Sequence, residues 1–259
     1  MHPTIFHIAF IKITSLTFFS ILALFTFFGG MIFLAKKNRQ RLQFLSKTIP
    51  GMLILGTVIG RLFEVILNLN YYWIDISFNS IYKSIAIWHS PEISFVGFII
   101  GFCGFFLRQI YYKQEHLRKW ADIFIISSFA ALTIYSIGAF LAGINYGKVT
   151  ETFLGITFNN PIVKYTLPIY PTQIFAAIYN LILTIFTYTQ YSKTKNKLDG
   201  YIFLQGIFIY SLFRFIESFF RGDEVPMLWN LIRLPMLVSF IVFYLSFKAI
   251  NNYEKKFIK

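Results

Sequence analysis

The chain has 259 residues, a formal net charge of +13 and 56% hydrophobic residues. A nucleic-acid-binding protein would carry such a charge as a basic stripe with interleaved aromatic residues on a polar surface, and this sequence has no such stripe. The single cysteine, Cys103, excludes a disulfide framework, and the four histidines lack the spacing of metal ligands. The sequence therefore predicts no metal, no cofactor and no nucleic-acid partner.

Seven apolar stretches follow one another along the chain, separated by loops. Each is close to the ~20 apolar residues that a helix needs to cross the hydrocarbon core of a bilayer. They lie at about 8–35, 49–70, 92–107, 121–145, 169–190, 201–220 and 228–248. No Pro/Gly-rich linker divides them and no internal repeat relates them. We therefore predict an all-α integral membrane protein, a bundle of seven transmembrane helices that forms a single domain over residues 1–259.

Basic residues are concentrated in every second loop and in the C-terminal tail. These residues are Lys36, Lys37, Arg39, Arg41 and Lys47, then Arg108, Lys113, Arg118 and Lys119, then Lys193, Lys195 and Lys197, and finally Lys248, Lys255, Lys256 and Lys259. Loops rich in Lys and Arg stay in the cytoplasm. This pattern predicts an N-terminus outside the cell, a cytoplasmic C-terminus and small periplasmic loop elements near 71–91 and 146–168.

Several ionisable side chains lie within the predicted spans, where they are costly and usually face the interior of the bundle. Arg61 and Glu64 are three residues apart, as are Arg214 and Glu217, so each pair shares one helical face. Each pair can be an internal ion pair that braces the bundle. Alternatively, the arginine holds an anion and the glutamate positions it. Arg214, Glu217 and Arg221 favour the anion site, because they leave a surplus positive charge on one face and arginine matches phosphate through its planar fork of donors.

Six fragments come in the order and spacing of one known enzyme family. They are GRLFEVILN (60–68), ISFVGFIIG (93–101), SIGAFLAGINYGK (136–148), YPTQIFAAIYN (170–180), YSLFRFIESFFRGDE (210–224) and LIRLPM (231–236). Together they resemble the prolipoprotein diacylglyceryl transferases of bacterial inner membranes, over about residues 50–240. The resemblance implies a multi-pass protein of that membrane. It also implies transfer of diacylglycerol from phosphatidylglycerol, or another anionic phospholipid, to the cysteine thiol of a prolipoprotein signal peptide, with release of glycerol phosphate.

The same resemblance implies roles for individual residues. Tyr210 and Arg214 resemble the family's essential Tyr–Arg couple and are expected to be catalytic. The residues expected to bind the lipid head group are Arg61, Arg221, Gln173 and Tyr146. Glu64 and Glu217 are expected to orient the arginines, although Glu217 lies one residue earlier than the family's glutamate.

The chain also departs from the family pattern near the expected reaction centre. Val96 replaces the histidine of the Ser-Phe-His-Gly-Gly motif. The signature arginine, its two asparagines and its glutamate are replaced by Ser136, Ala139, Ala142 and Ile144, and Asn145 is expected to be a shifted polar contact. Two interpretations remain open: an active transferase with a divergent centre, which we favour, and a catalytically inert lipid- or lipoprotein-binding paralogue. A transporter or channel is a third, supported only by the buried charges.

Overall fold

The computed structural model describes residues 4–8, 11–73, 77–86, 92–158, 163–193, 199–223, 227–228 and 232–255. Seven of its helices are long and apolar enough to cross a membrane. They are α1 (Ser15–Lys37), α2 (Leu42–Leu67), α5 (Phe95–Tyr112), α6 (Leu117–Ala142), α7 (Thr172–Lys193), α8 (Tyr201–Phe220) and α9 (Leu234–Lys255). Two short helices, α3 (Leu69–Tyr72) and α4 (Phe78–Ile85), lie between α2 and α5. The predicted all-α fold with seven transmembrane helices is confirmed.

Two span boundaries differ from the prediction because strands precede the helices. The antiparallel pair β1 (Thr4–Ile8) and β2 (Ile11–Thr14) comes before α1, which begins at Ser15 rather than near residue 8. The antiparallel pair β3 (Met227–Leu228) and β4 (Ile232–Arg233) comes before α9. Both pairs contain apolar residues beside polar ones such as Lys12 and Arg233, and a short, largely apolar run does not by itself distinguish a strand from the first turn of a helix.

The chain forms two compact units, residues 1–34 with 118–259 and residues 35–117. The prediction of a single domain over 1–259 stays a prediction. In the 35–117 unit, α2 and α5 pack closely through glycines. A Cβ atom on Gly97 would lie 2.8 Å from the Ile59 carbonyl oxygen, and one on Gly101 would lie 2.5 Å from the Leu55 carbonyl oxygen. Small residues four apart allow membrane helices to approach each other in this way.

In the other unit, a buried carboxylate joins two spans. Asp122 of α6 accepts hydrogen bonds from the Gly200 amide at 2.7 Å and the Phe203 amide at 2.8 Å, at the start of α8. These amides have no partner within their own helix, so Asp122 acts as an N-cap supplied by a neighbouring helix. Gly200 has φ +89°, a left-handed conformation that glycine adopts without strain. Asp122 therefore fixes the position at which α8 begins.

The loop between α6 and α7 has a small apolar core of its own. Tyr146, Phe158, Val163 and Ile169 are buried together. Backbone bridges join Val149 to Ile169 and Ile156 to Ile169. Backbone hydrogen bonds from the Lys148 amide to the Phe220 carbonyl at 2.8 Å and from the Gly222 amide to the Tyr146 carbonyl at 2.9 Å hold the loop at the end of α8, where most of the predicted site residues lie.

Candidate functional site

Glu217 of α8 joins the two arginines that flank it in the helix. Its Oε1 atom lies 2.6 Å from Nη1 of Arg214 and 3.8 Å from Nη1 of Arg221. Its Oε2 atom accepts a hydrogen bond of 2.8 Å from the hydroxyl of Tyr179 on α7. Spacings of three and four residues place all three charges on one face of the helix. The structure therefore forms the Arg214–Glu217 pair that the sequence suggested, and adds Arg221 to it.

The two arginines differ in how many of their donors are used. Arg221 donates from Nε and Nη2 to the Asp223 carboxylate, and also from Nη2 to Oδ1 of Asn145 at 2.8 Å. Arg214 donates from Nη1 to Glu217, and its Nε and Nη2 atoms have no partner among the described residues. The Arg214 side chain is 26% exposed and that of Arg221 is 8% exposed. Among the described residues, Arg214 is thus an arginine of this group with unused donors, and an anion site there stays a prediction.

Asp223 connects the end of α8 to the start of α9. Besides Arg221, it accepts hydrogen bonds from Arg233, at 3.3 Å to Oδ1 and 3.2 Å to its backbone carbonyl. Burial alone would raise the pKa of Asp223, but its hydrogen bonds and the charges of both arginines outweigh burial, so that its pKa lies below the usual value. Among the described residues, three guanidinium groups and two carboxylates meet here, and these groups alone leave one excess positive charge. The sequence assigned no role to Asp223 or Arg233.

Asn145 reaches Arg221 because a tight turn follows α6. Gly143 and Asn145 have positive φ angles of 75° and 58°. The first two side chains of α7 hold this turn: Thr172 Oγ1 donates to the Asn145 carbonyl at 2.6 Å, and Gln173 Nε2 donates to the Ile144 carbonyl at 2.7 Å. Asn145 is therefore the polar contact beside the lost signature glutamate, as expected.

Gln173 also has a buried acceptor without a partner. The residue is 2% exposed, and its Oε1 atom has no hydrogen-bond partner among the described residues. Buried polar atoms are nearly always paired, so this oxygen suits a donor other than the described residues. Tyr146, the other predicted head-group residue of this loop, lies in the apolar core with its ring 6.0 Å from that of Tyr165. Both assignments stay predictions.

Tyr210 lies one helical turn before Arg214 in α8. Its ring is 6.0 Å from the ring of Tyr179 and 5.7 Å from that of Phe129. Tyr210, Arg214 and Tyr179 are therefore grouped around Glu217. The two clefts that the structure describes are lined by residues of the 35–117 unit and by none of this group.

Arg61 has a different kind of environment, in the 35–117 unit. It donates to the carbonyls of Ser84 at 2.9 Å, Lys83 at 2.7 Å and Glu92 at 2.9 Å, and to the Tyr72 hydroxyl at 3.1 Å. The side chain of Glu64 accepts a hydrogen bond from Asn68 at 2.6 Å. The partners of Arg61 thus include three backbone carbonyls and one hydroxyl, and the Arg61–Glu64 pair stays a prediction. Their assignments to head-group binding and orientation stay predictions.

The residues that depart from the family pattern are uncharged and bring no ionisable group to the site. Ser136 is buried and donates to the Leu132 carbonyl of its own helix at 2.7 Å, and Ala139 is buried. Val96 is exposed on α5. Neither Ser136 nor Val96 supplies a base or a cation. The positive charge of the described site therefore comes from Arg214 of α8, Arg221 at its C-terminal end and Arg233 of β4.

Comparison with known proteins agrees with the residues that the chain retains. A family model described as prolipoprotein diacylglyceryl transferase matches residues 3–250. A phosphatidylglycerol–prolipoprotein diacylglyceryl transferase of Clostridium tetani is 32% identical over 206 residues, which cover 75% of this chain and 76% of that protein. One of Campylobacter hominis is 24% identical over 272 residues, covering 98% and 94%. A Clostridium perfringens protein with the same name and the number 2 is 35% identical over 112 residues, covering 41% and 43%. The chain therefore belongs to the prolipoprotein diacylglyceryl transferase family.

Proposed function

We propose that this chain is an active transferase of the bacterial inner membrane, which moves diacylglycerol from phosphatidylglycerol to the cysteine of a prolipoprotein. The cysteine sulfur attacks the glyceryl carbon next to the phosphate and forms a thioether. The bond between that carbon and the phosphate oxygen breaks, glycerol phosphate leaves with the electron pair, and the departing phosphate takes up the proton that the thiol loses. The observation that carries the proposal is the Arg214 guanidinium, which is oriented by Glu217 and has two nitrogen atoms without a partner among the described residues.

Arg214 is suited to the phosphate of the lipid. Two parallel hydrogen bonds from one guanidinium to two phosphate oxygens are short and strong. The free Nε and Nη2 atoms lie on the same edge of the guanidinium, and they would bind the phosphate most tightly as negative charge grows on the departing group. Glu217 accepts from Nη1 of the same guanidinium, Tyr179 donates to Glu217, and Tyr210 lies beside Tyr179. The single excess positive charge matches the single negative charge of a phosphodiester.

Arg221 supports this site rather than binding the phosphate through all of its donors. Asp223 and Asn145 occupy its Nε and Nη2 atoms. Its charge still favours an anion nearby and would lower the pKa of an incoming cysteine thiol, because positive charge stabilises the thiolate. Gln173 Oε1 offers a buried acceptor to a hydroxyl of the glycerol head group. These assignments extend to other anionic phospholipids only as far as their head groups supply a hydroxyl.

The orientation of the spans belongs to the same proposal. Because loops rich in Lys and Arg stay in the cytoplasm, we expect the C-terminal end of α8, where the site lies, on the outer side of the membrane. Single cysteines on a Cys103→Ser background test this with a membrane-impermeant thiol reagent. We expect labelling of Ser77→Cys from outside and of His116→Cys only after the membrane is opened; both positions are exposed. The opposite pattern would contradict the proposed orientation.

The alternative of an inert paralogue has no support among the relatives, which are named as transferases. Vesicles that contain the full chain and phosphatidylglycerol test the two directly. We expect a lipobox peptide to gain the mass of one diacylglyceryl group. A peptide with serine in place of the cysteine should gain nothing, and vesicles of phosphatidylethanolamine alone should support no transfer. Lipid binding without any mass gain would select the inert paralogue.

A further inference from the structure

The short helix α4, Phe78–Ile85, exposes an apolar face. Phe78, Ile81, Tyr82 and Ile85 are all exposed, with Phe78 at 85% and Ile85 at 67%. Their spacing of three, four and seven residues from Phe78 places them on one side of the helix. A helix on the surface of a soluble protein would bury this side.

The opposite side of α4 is polar and points inward. Ser80 is 7% exposed, its side chain lies 3.3 Å from that of Ser77, and its carbonyl accepts a hydrogen bond from Ser84 at 2.9 Å. The apolar side of α4 is therefore exposed and its polar side is buried, the reverse of a surface helix that covers a hydrophobic core. This arrangement fits a helix whose outer surroundings are less polar than water.

Arg61 fixes α4 to the end of α2. It donates to the carbonyls of Lys83 and Ser84, which lie in the last turn of α4 and have no partner within that helix. A cation at a helix C-terminus is also favoured by the helix dipole. These short contacts hold the C-terminal end of α4 close to Arg61, near the end of α2.

The two membrane-spanning helices on either side of α4 in the chain also expose apolar side chains near it in sequence. Leu62, Ile66 and Leu67 at the end of α2, and Phe95 and Ile99 at the start of α5, are exposed on two membrane-spanning helices. Between these ends the chain also exposes Tyr71 and Trp73. Tyrosine and tryptophan are enriched where the hydrocarbon core meets the head groups.

We propose that α4 lies in the plane of the membrane interface, with Phe78, Ile81, Tyr82 and Ile85 inserted among lipids. Amphipathic helices of this kind bury their apolar face about 5–10 Å into the boundary between head groups and acyl chains. A lipid surface fits better than a second protein, because a stable protein interface needs roughly 20–30 residues a side and α4 offers eight. Exposed Lys83 adds attraction to anionic lipids. Arg61 is then a positioning residue, because its hydrogen bonds attach α4 to α2.

A fluorescent probe on the face of α4 tests the proposal in the full chain. On a Cys103→Ser background, Ile81→Cys is labelled with an environment-sensitive dye in vesicles of phosphatidylethanolamine and phosphatidylglycerol. His116→Cys, which is exposed on a loop between two spans, is the matched control. Spin-labelled lipids then quench the dye from either the head-group end or the tail end of an acyl chain.

We expect blue-shifted emission at position 81 and stronger quenching by the shallow spin label than by the deep one, by a factor of about two or more. The control should keep the emission of a dye in water. Water-like emission at position 81 would overturn the proposal. So would blue-shifted emission that no spin-labelled lipid quenches, because that result would show a protein surface covering α4. Ile85→Cys should repeat the result of Ile81→Cys, and a disagreement between the two would also contradict an in-plane helix.

Discussion

Arg214 and Arg221 share one carboxylate oxygen, Oε1 of Glu217, at 2.6 Å and 3.8 Å. They are nevertheless not equivalent, because Asp223 and Asn145 occupy most of the donors of Arg221, whereas two nitrogens of Arg214 are free of partners among the described residues. This asymmetry supports the proposal that Arg214 binds the phosphate and that Arg221 has a mainly structural part. It also allows the effects of the two residues to be separated by experiment.

We expect Arg221→Ala to destabilise the folded protein. The substitution removes a partner from two carboxylates, those of Asp223 and Glu217, which are largely buried. Loss of one member of a buried ion pair typically costs about 3–5 kcal/mol. Thermal unfolding in detergent measures the effect, with Arg108→Ala, an exposed arginine on α5, as the control. An unchanged melting temperature in Arg221→Ala would contradict the structural part assigned to Arg221.

The stability contributed by Asp223 should depend on pH. Because the pKa of this carboxyl is lower in the folded protein than in the unfolded chain, its contribution is present above the unfolded pKa of about 3.9 and is lost as pH falls through the folded pKa. We expect wild type to be more stable than Asp223→Asn between about pH 5 and 8, and the difference to shrink below about pH 4. Unfolding curves of both proteins across this range measure it. A difference that stays constant down to about pH 3 would show that the charge of Asp223 is not responsible.

Gln173 and Asn180 offer a matched comparison of buried acceptors on α7. Each has one side-chain oxygen without a hydrogen-bond partner among the described residues, and the two lie two turns apart. If the glycerol head group donates to Gln173, then Gln173→Leu should raise the KM for phosphatidylglycerol by about tenfold, which corresponds to about 1.4 kcal/mol. Asn180→Leu should leave this KM within a factor of about two. Equal effects from both substitutions would indicate packing alone.

Two glycines of α5 should respond oppositely to the same substitution. A Cβ on Gly97 would lie 2.8 Å from the Ile59 carbonyl oxygen, whereas one on Gly104 would meet no heavy atom of the described residues within 4 Å. Gly97→Ala should therefore cost about 1–3 kcal/mol through overpacking against α2. Gly104→Ala should be neutral or gain up to about 1 kcal/mol from helix propensity. Similar melting temperatures for the two variants would mean that α2 and α5 are not as closely packed as described.

The sequence was sufficient to predict the spans but not all of their ends. Apolar runs of sufficient length identify transmembrane helices because lipid offers no other way to satisfy the backbone. The strands before α1 and α9 were missed, since their isoleucines and other apolar residues continue directly into the apolar helices and single polar residues such as Lys12 and Arg233 did not mark a boundary. Pro50 lies inside α2, where a soluble helix would be expected to break or kink. Membrane helices tolerate such a residue more readily.

The site was only partly predictable for a related reason. Arg214, Glu217 and Arg221 are close in sequence, so helical spacing was enough to group them. The partners of Arg61 are carbonyl groups 22, 23 and 31 residues away, which no side-chain pattern reveals. Asp223 lies two residues after Arg221, so its proximity in sequence was a signal that could have found it. Tyr179 could not be placed, because its contact with Glu217 depends on how α7 packs against α8.

The most direct test of the account is the rate of transfer by an Arg214 variant. Full-length wild type, Arg214→Ala and the control Arg108→Ala are reconstituted in phosphatidylglycerol vesicles with a lipobox peptide. Loss of a bidentate, charge-assisted contact to the leaving phosphate should lower kcat/KM by about 100-fold or more in Arg214→Ala, while its melting temperature changes less than that of Arg221→Ala. Arg108→Ala should transfer at the wild-type rate. Wild-type transfer by Arg214→Ala would contradict the assignment of the phosphate to Arg214.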